Sequence, residues 1–444
     1  MGYVVMAGQL MLSLSILIVL HEMGHFLPAR FFGTRVEKFY LFFDPWFSLF
    51  KKKIGETEYG IGWLPLGGYV KISGMIDESF DTEQMAQEPQ EWEFRSKPAW
   101  QRLIIMLGGV TVNFILGFLL YGMVLFVWGE EYLPTENAVY GIHADSLGIE
   151  MGLQTGDHIL SIGGKPFEKF NDRTLFREII INDANTITVR RDGREETIDI
   201  PPKFIGILSS HDNKGQLLFL PRTPFVVAQV AKESPAEKAG IMANDSITAV
   251  NGAPVRFYDE FLDKVKPNPN TPMDISLIRD GQEKQVSLTT TEEGKIGVLR
   301  FGPDRYFDFE RQDYTLAEAL PAGVAKGWSF LSDQVKAFGQ MFSGRIKASD
   351  SLGGFASIGQ MFGDVWNWER FWTMTAILSL ILAFMNLLPI PALDGGHVMF
   401  LLYEVVSGRK PSDKFMEYAT MIGFIIVIGL VLFANGLDIL RIFK

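Results

Sequence analysis

Near the start of the chain, inside an apolar stretch, lies His21-Glu22-Met23-Gly24-His25, an H-E-x-x-H pattern. On a helix, residues four apart share a face, so the two imidazoles can hold one metal ion, with the Glu22 carboxylate beside it. Such a set suits zinc. The bland alternative is a pair of histidines satisfied by neighbouring helices, but ionisable groups inside an apolar helix are costly and are mostly kept for function. With six histidines in 444 residues the pattern is rare by chance, and with no cysteine any metal must be held by His, Asp or Glu. A second polar cluster, from Asn386 through Pro389, Pro391 and Asp394 to His397, closes a later apolar run. Its prolines break the helix and expose backbone that protein or water must satisfy. Asp394 is then a carboxylate at membrane depth, the obvious group to complete a zinc site. His397 stays open as an alternative, because Gly395 and Gly396 make the backbone irregular there.

Three protein ligands leave zinc a fourth position for water, whose pKa falls from 15.7 to about 7 while the metal polarises a carbonyl. Glu22 can take the water's proton and pass it to a leaving amine. The chemistry this predicts is hydrolysis of a peptide bond. A substrate inside the membrane shields its peptide bonds in helical hydrogen bonds, so it must unwind, and an edge strand near Gly67, Gly68, Tyr69 and Val70 could replace the lost bonds.

The elements that must position these groups follow from composition. The chain is 47% hydrophobic with a mean hydropathy of +0.13, which implies several membrane spans and a large water-exposed part. A net charge of -11 with no basic face argues against nucleic acid as a partner. Residues 1–20 carry no charge, and without a basic n-region the stretch reads as a retained span rather than a cleaved signal. Further apolar runs lie at 103–128, from 371 onward, and at 418–437. Basic residues cluster in the loops after the first and third spans, which puts those loops in the cytoplasm, both chain ends outside, and about 240 residues outside. The segment 60–72 reads as a β-hairpin or looped strand, and 77–93 as an acidic surface loop. Asn113, alone in the second span, has two readings: a hydrogen bond that packs helices, or a place near the active site.

The outer region repeats. Ser146, Gly152, Asp157, Ile159, Gly164 and Pro166 recur 88 residues on as Ser234, Gly240, Asp245, Ile247, Gly252 and Pro254, and Arg191-Asp192-Gly193 recurs as Arg279-Asp280-Gly281. Each copy reads as a small α+β module whose repeated residues serve turns. His143, His158 and His211 read as ordinary fold or surface histidines. From Leu316 to Phe342, apolar residues recur at helical spacing behind a Thr315–Glu318 capping box; the stripe could pack on the modules or lie on the membrane.

Together these residues resemble the site-2 protease family of intramembrane zinc metalloproteases, across nearly the whole chain: H-E-x-G-H at 21–25, P-L-G-G-Y-V-K at 65–71, tandem modules, and N-x-x-P-x-P-x-L-D-G-G at 386–396. Two elements depart from the family pattern, since Gly109-Val110-Thr111-Val112-Asn113 lacks the proline of G-P-x-x-N and Gly354-Phe355-Ala356-Ser357-Ile358 lacks that of G-P-x-S-I. The resemblance implies that His21, His25 and Asp394 bind Zn2+ and Glu22 activates water. It also implies that Asn386, with Pro389 and Pro391, helps hold substrate or its oxyanion, and that Gly67, Gly68, Tyr69 and Val70 belong to a membrane-reentrant β-element facing the substrate.

The fold class expected is a polytopic α-helical membrane protein with four transmembrane helices, a membrane-reentrant β-element and two tandem α+β PDZ domains. The spans are 1–29, 103–128, 371–403 and 418–444, separated by a cytoplasmic region 30–102, PDZ domains 129–218 and 219–302, a periplasmic amphipathic helix and linker 303–370, and a cytoplasmic loop 404–417. The implied partners are the lipid bilayer and a single-span membrane protein, anti-sigma factor-like and already trimmed by another protease, in a bacterial inner membrane with both termini and the PDZ domains periplasmic. Competing readings are a non-catalytic PDZ-bearing membrane adaptor, and a metal carrier, which would need a polar path through all the spans.

Overall fold

A computed structural model of the chain describes residues 2–65, 67–75, 88–210, 213 and 216–443. Leu66, His211 and most of the acidic stretch 77–93 lie outside the described residues. The chain forms two compact units, one of residues 1–129, 313–335 and 351–444, the other of 130–312 and 336–350.

In the first unit, four helices are long and apolar enough to cross a membrane: Gly2–Phe31, Ala99–Trp128, Trp368–Leu387 and Lys414–Arg441. The first, second and third of these (α1, α2 and α5 in chain order) form the site's scaffold. Lipid offers no hydrophobic drive between helices, so close contact rests on small residues and buried hydrogen bonds. Ser13 on α1 bonds Thr375 on α5 across 3.0 Å, and the Ser379 hydroxyl donates to the Asn113 carbonyl at 2.7 Å. Gly24 and Gly108 bring α1 and α2 almost into backbone contact: a Cβ on Gly108 would stand 1.9 Å from the Gly24 carbonyl oxygen. Pro28 has no N–H to offer that oxygen, so it faces the neighbouring helix instead.

Between α1 and α2 the chain forms β1 (Val36–Leu41), β2 (Phe43–Ile54), β3 (Thr57–Leu64) and β4 (Tyr69–Ile72), in the order β2-β3-β1-β4. Of the two readings of 60–72, the hairpin is therefore corrected, and the segment is two strand pieces joined by a loop. β3 and β4 do not pair with each other; β1 lies between them, parallel to β3 and antiparallel to β4. The local glycine signal was real, but the partner strand comes from upstream, which no turn pattern reveals. Tyr40 and Tyr69 stack at 5.3 Å, and their hydroxyls donate to Glu58 and Asp44, locking β4 in register.

The stripe helix α3 occupies Leu316–Phe342, and Glu318 Oε2 accepts from the Thr315 N–H at 2.9 Å, the glutamate half of the expected capping box; the Thr315 hydroxyl donates to the same oxygen at 2.8 Å instead of accepting from the Glu318 N–H. Its small residues make much of the contact, with Gly323 against Gly122 and Gly327 against Phe118 of α2, and of the stripe Leu331 is buried in a cluster with Leu120 and Tyr121 while Leu316, Val324 and Trp328 stay exposed. Helix α4 (Phe355–Phe362) is capped by Asn435 and Asp438 of the fourth spanning helix, α7 (Asp413–Ile442), which accept from the Phe355 and Ser357 N–H groups.

The second unit holds both repeats, each with its own core. In the first, a sheet of His158–Ile162, Thr186–Arg191 and Arg194–Asp199 packs on the helix Asp172–Ile180; in the second, Ser246–Val250, Pro272–Arg279 and Gln282–Thr289 pack on Tyr258–Val265. Arg191 grips both oxygens of buried Asp157 and the Gly152 carbonyl, and Arg279 does the same to Asp245 and Gly240. The repeated Arg and Asp thus form one clamp, made twice. The copies differ in one insertion: the first adds the helix Lys203–Ser209, whose Phe204 and Leu208 enter its core. Strand Phe219–Pro221 pairs with Ile142–Ala144, so the first copy runs past the boundary expected after residue 218.

Candidate metal centre

The third apolar run does break at its prolines. α5 ends at Leu387, and a separate helix α6 starts at Asp394 and runs to Ser407. The glycines after Asp394 make the return possible. A Cβ on Gly395 would stand 2.3 Å from the Leu388 carbonyl oxygen, and one on Gly396 2.5 Å from the Pro391 Cα. Between them, Ala392 adopts a φ of +95°, a conformation that side chains disfavour and that tends to persist at functional sites. Asp394 consequently sits at a helix N-terminus, where unpaired N–H groups favour a negative charge.

That carboxylate meets the two histidines. His21 Nε2 lies 3.3 Å from His25 Nε2, and Asp394 Oδ2 lies 3.3 Å from each. Asp394 Oδ2 is buried and receives no hydrogen bond. Three atoms of metal-ligating type thus face one another at equal spacing. Ligands about 2.0–2.1 Å from a zinc ion at tetrahedral angles stand about 3.3–3.4 Å apart, so the triangle has the size of one face of a zinc tetrahedron. Donor types and spacing both fit the ion.

The second helix, α2, presents Ile105, Gly109 and Asn113 along one face to these rings. His25 Nδ1 bonds the Ile105 carbonyl at 2.9 Å, which puts the proton on Nδ1 and leaves Nε2 free as a ligand. Asn113 reaches His21 Nδ1 at 3.2 Å. A Cβ on Gly109 would stand 2.3 Å from His25 Nε2 and 2.7 Å from His21 Cε1, so only glycine leaves room for both imidazoles. The linear pattern does not say which side chains the space left by Gly109 admits.

Of the other residues singled out, Asn386 Nδ2 lies 3.3 Å from His21 Nε2, at the rim of the triangle. Glu22 borders β4: a Cβ on Gly68 would stand 2.4 Å from Ile18 and 3.6 Å from Glu22 Cγ. β4 is the last strand of its sheet, with no further strand on its outer edge among the described residues. The Tyr69 ring is engaged within the sheet, so what that position offers is backbone. Pro391 packs under Gly396 and Gly423, whereas Pro389 is exposed. His397 lies three residues into α6, and the described metal-ligating cluster contains Asp394 and not His397.

Comparison with known proteins gives the family. Residues 9–430 match Peptidase family M50. The chain is 30% identical to the regulator of sigma-E protease RseP of Escherichia coli (strain K12), over 96% of this chain and 97% of that protein. It is 26% identical to the regulator of sigma E protease of Haemophilus influenzae over the whole of both. A Vibrio cholerae relative, 28% identical over 97% of each chain, carries zinc metalloprotease in its name. The chain belongs to peptidase family M50, the site-2 proteases, and is a zinc metalloprotease with four helices fit to span a membrane.

Proposed function

We propose that this protein hydrolyses a peptide bond within the membrane segment of a single-span protein, with His21, His25 and Asp394 holding the zinc and Glu22 as general base. The observation that carries the reading is the equal 3.3 Å triangle with its unpartnered carboxylate oxygen. Zinc held there supplies a Lewis acid for the carbonyl and makes water easier to deprotonate. Glu22, beside His21 in the chain, accepts the proton and returns it to the departing amine. The Asn386 amide, at the rim, donates to the substrate's carbonyl oxygen as negative charge develops there. Glu22→Gln keeps shape and zinc but cannot accept a proton; normal cleavage by that variant would refute the base assignment.

The substrate strand pairs with the open edge of β4, along Gly67, Gly68, Tyr69 and Val70, which holds it beside Glu22. Two features support a sheet that dips into the bilayer from the cytoplasmic side. Trp46, Phe47, Leu49 and Phe50 are exposed on β2, and Lys51, Lys52 and Lys53 follow them where lipid headgroups would lie. The exposed face of α3 with Trp328 suits the opposite membrane surface.

The two outer modules are PDZ-type domains that screen substrates, admitting an anti-sigma factor-like protein in a bacterial inner membrane once another protease has removed its outer domain. Both chain ends and the modules are periplasmic. Deleting residues 129–302 then lets the enzyme cut an untrimmed substrate. Equal cutting of that substrate by the full-length protein would sink the filter.

A further inference from the structure

A ligand histidine needs its second ring nitrogen held, because the partner of that nitrogen fixes both the tautomer and the ring's direction. For His25 that partner is the Ile105 carbonyl. For His21 the group within reach of Nδ1 is the Asn113 carboxamide, at 3.2 Å and fully buried. We propose that Asn113 is a positioning residue whose side-chain oxygen accepts the His21 Nδ1–H, holding the Nε2 lone pair toward the zinc. The proposal rests on His21 being a ligand.

The chemistry decides which end of the amide faces the ring. With Nδ2 toward Nδ1, the amide donates, Nδ1 carries the lone pair and Nε2 carries the proton, which closes Nε2 to a metal. In that orientation Oδ1 is buried with no hydrogen-bond partner. A half-turn of the carboxamide places Oδ1 against Nδ1, and the tautomer reverses to the one a ligand requires. The two amide ends have the same shape, so neighbouring side chains do not oppose the turn. Asn113 is also held independently of its side chain, since its backbone carbonyl accepts from Ser379 Oγ at 2.7 Å. Replacing the side chain leaves that link between α2 and α5 intact.

The test is zinc affinity of the purified full-length protein by competition with a chromogenic chelator, for wild type, Asn113→Leu, Asn113→Asp and His21→Ala. Leucine keeps the branched outline of the side chain but cannot accept a hydrogen bond, whereas aspartate can. Asn113→Leu is expected to weaken zinc binding about 10–100-fold, with Asn113→Asp recovering most of the loss. Wild-type affinity in Asn113→Leu, or an equal loss in Asn113→Asp, would overturn the positioning role, since the second result means packing alone. His21→Ala separates the two readings: unchanged zinc there would sink the ligand assignment itself, while lost zinc there with unchanged Asn113→Leu would sink only the inference.

Discussion

Two kinds of buried carboxylate lie in this molecule, and their hydrogen bonds separate structure from chemistry. Asp157 and Asp245, in the repeated modules, have both oxygens occupied by a forked guanidinium, and each also accepts a backbone N–H, from Gln154 and from Met242. Asp394, between membrane helices, points Oδ2 at two ring nitrogens and receives no hydrogen bond on that oxygen. A saturated carboxylate is finished and serves as a rivet. One whose oxygen converges with two imidazole nitrogens has room for a cation, and this difference is what the proposed function rests on.

The contrast can be broken in several places. The largest effect belongs to Glu22→Gln, expected to lower cleavage of a single-span substrate about 10²–10⁴-fold while zinc per chain, by elemental analysis, stays near one. Next, Asp394→Ala should strip zinc, whereas Asp245→Ala should leave zinc content unchanged and loosen only the second module. Gly109→Ala places a methyl where the imidazoles converge and should cost about 10-fold or more in zinc affinity, with helix content by circular dichroism retained.

Arg279→Leu would leave Asp245 buried and unpaired, costing about 3 kcal/mol in the second module. Hydrogen exchange should show it as lost protection confined to residues 227–300. The smallest effect is in acid. Burial pushes the Asp245 carboxyl up, but the Arg279 fork and the Met242 N–H outweigh it and hold the pKa below the ordinary value. A depressed folded pKa stabilises above the unfolded value and fades as pH falls through the folded one. Protection in the second module should therefore hold at neutral pH and decline only below about pH 4. Decline beginning near pH 6 would implicate a different group.

Much of the site was legible in the chain. H-E-x-x-H states its own geometry, because four residues on a helix are one turn, and the break at Pro389 and Pro391 follows from missing backbone donors. The 88-residue repeat announced two modules, but its recurring Arg and Asp read as turn residues, and the clamp they form appears only in the fold. Less was legible where the partner is remote. β1 pairs with both β3 and β4, and α3 makes contact through its glycines and only part of its apolar stripe, since a stripe shows which face is apolar and not what covers it.

The sequence by itself determined the donor types, the absence of thiolate ligands, the four apolar runs and the point where the third helix must stop. Tertiary structure alone decided that residue 394 would come within 3.3 Å of residues 21 and 25, and that Ile105, Gly109 and Asn113 would supply the space and second partners for the rings. The reason is physical: local pattern is set by bonds along one helix turn, whereas a metal site needs lone pairs from separate helices, and their approach depends on which helices can cross closely enough.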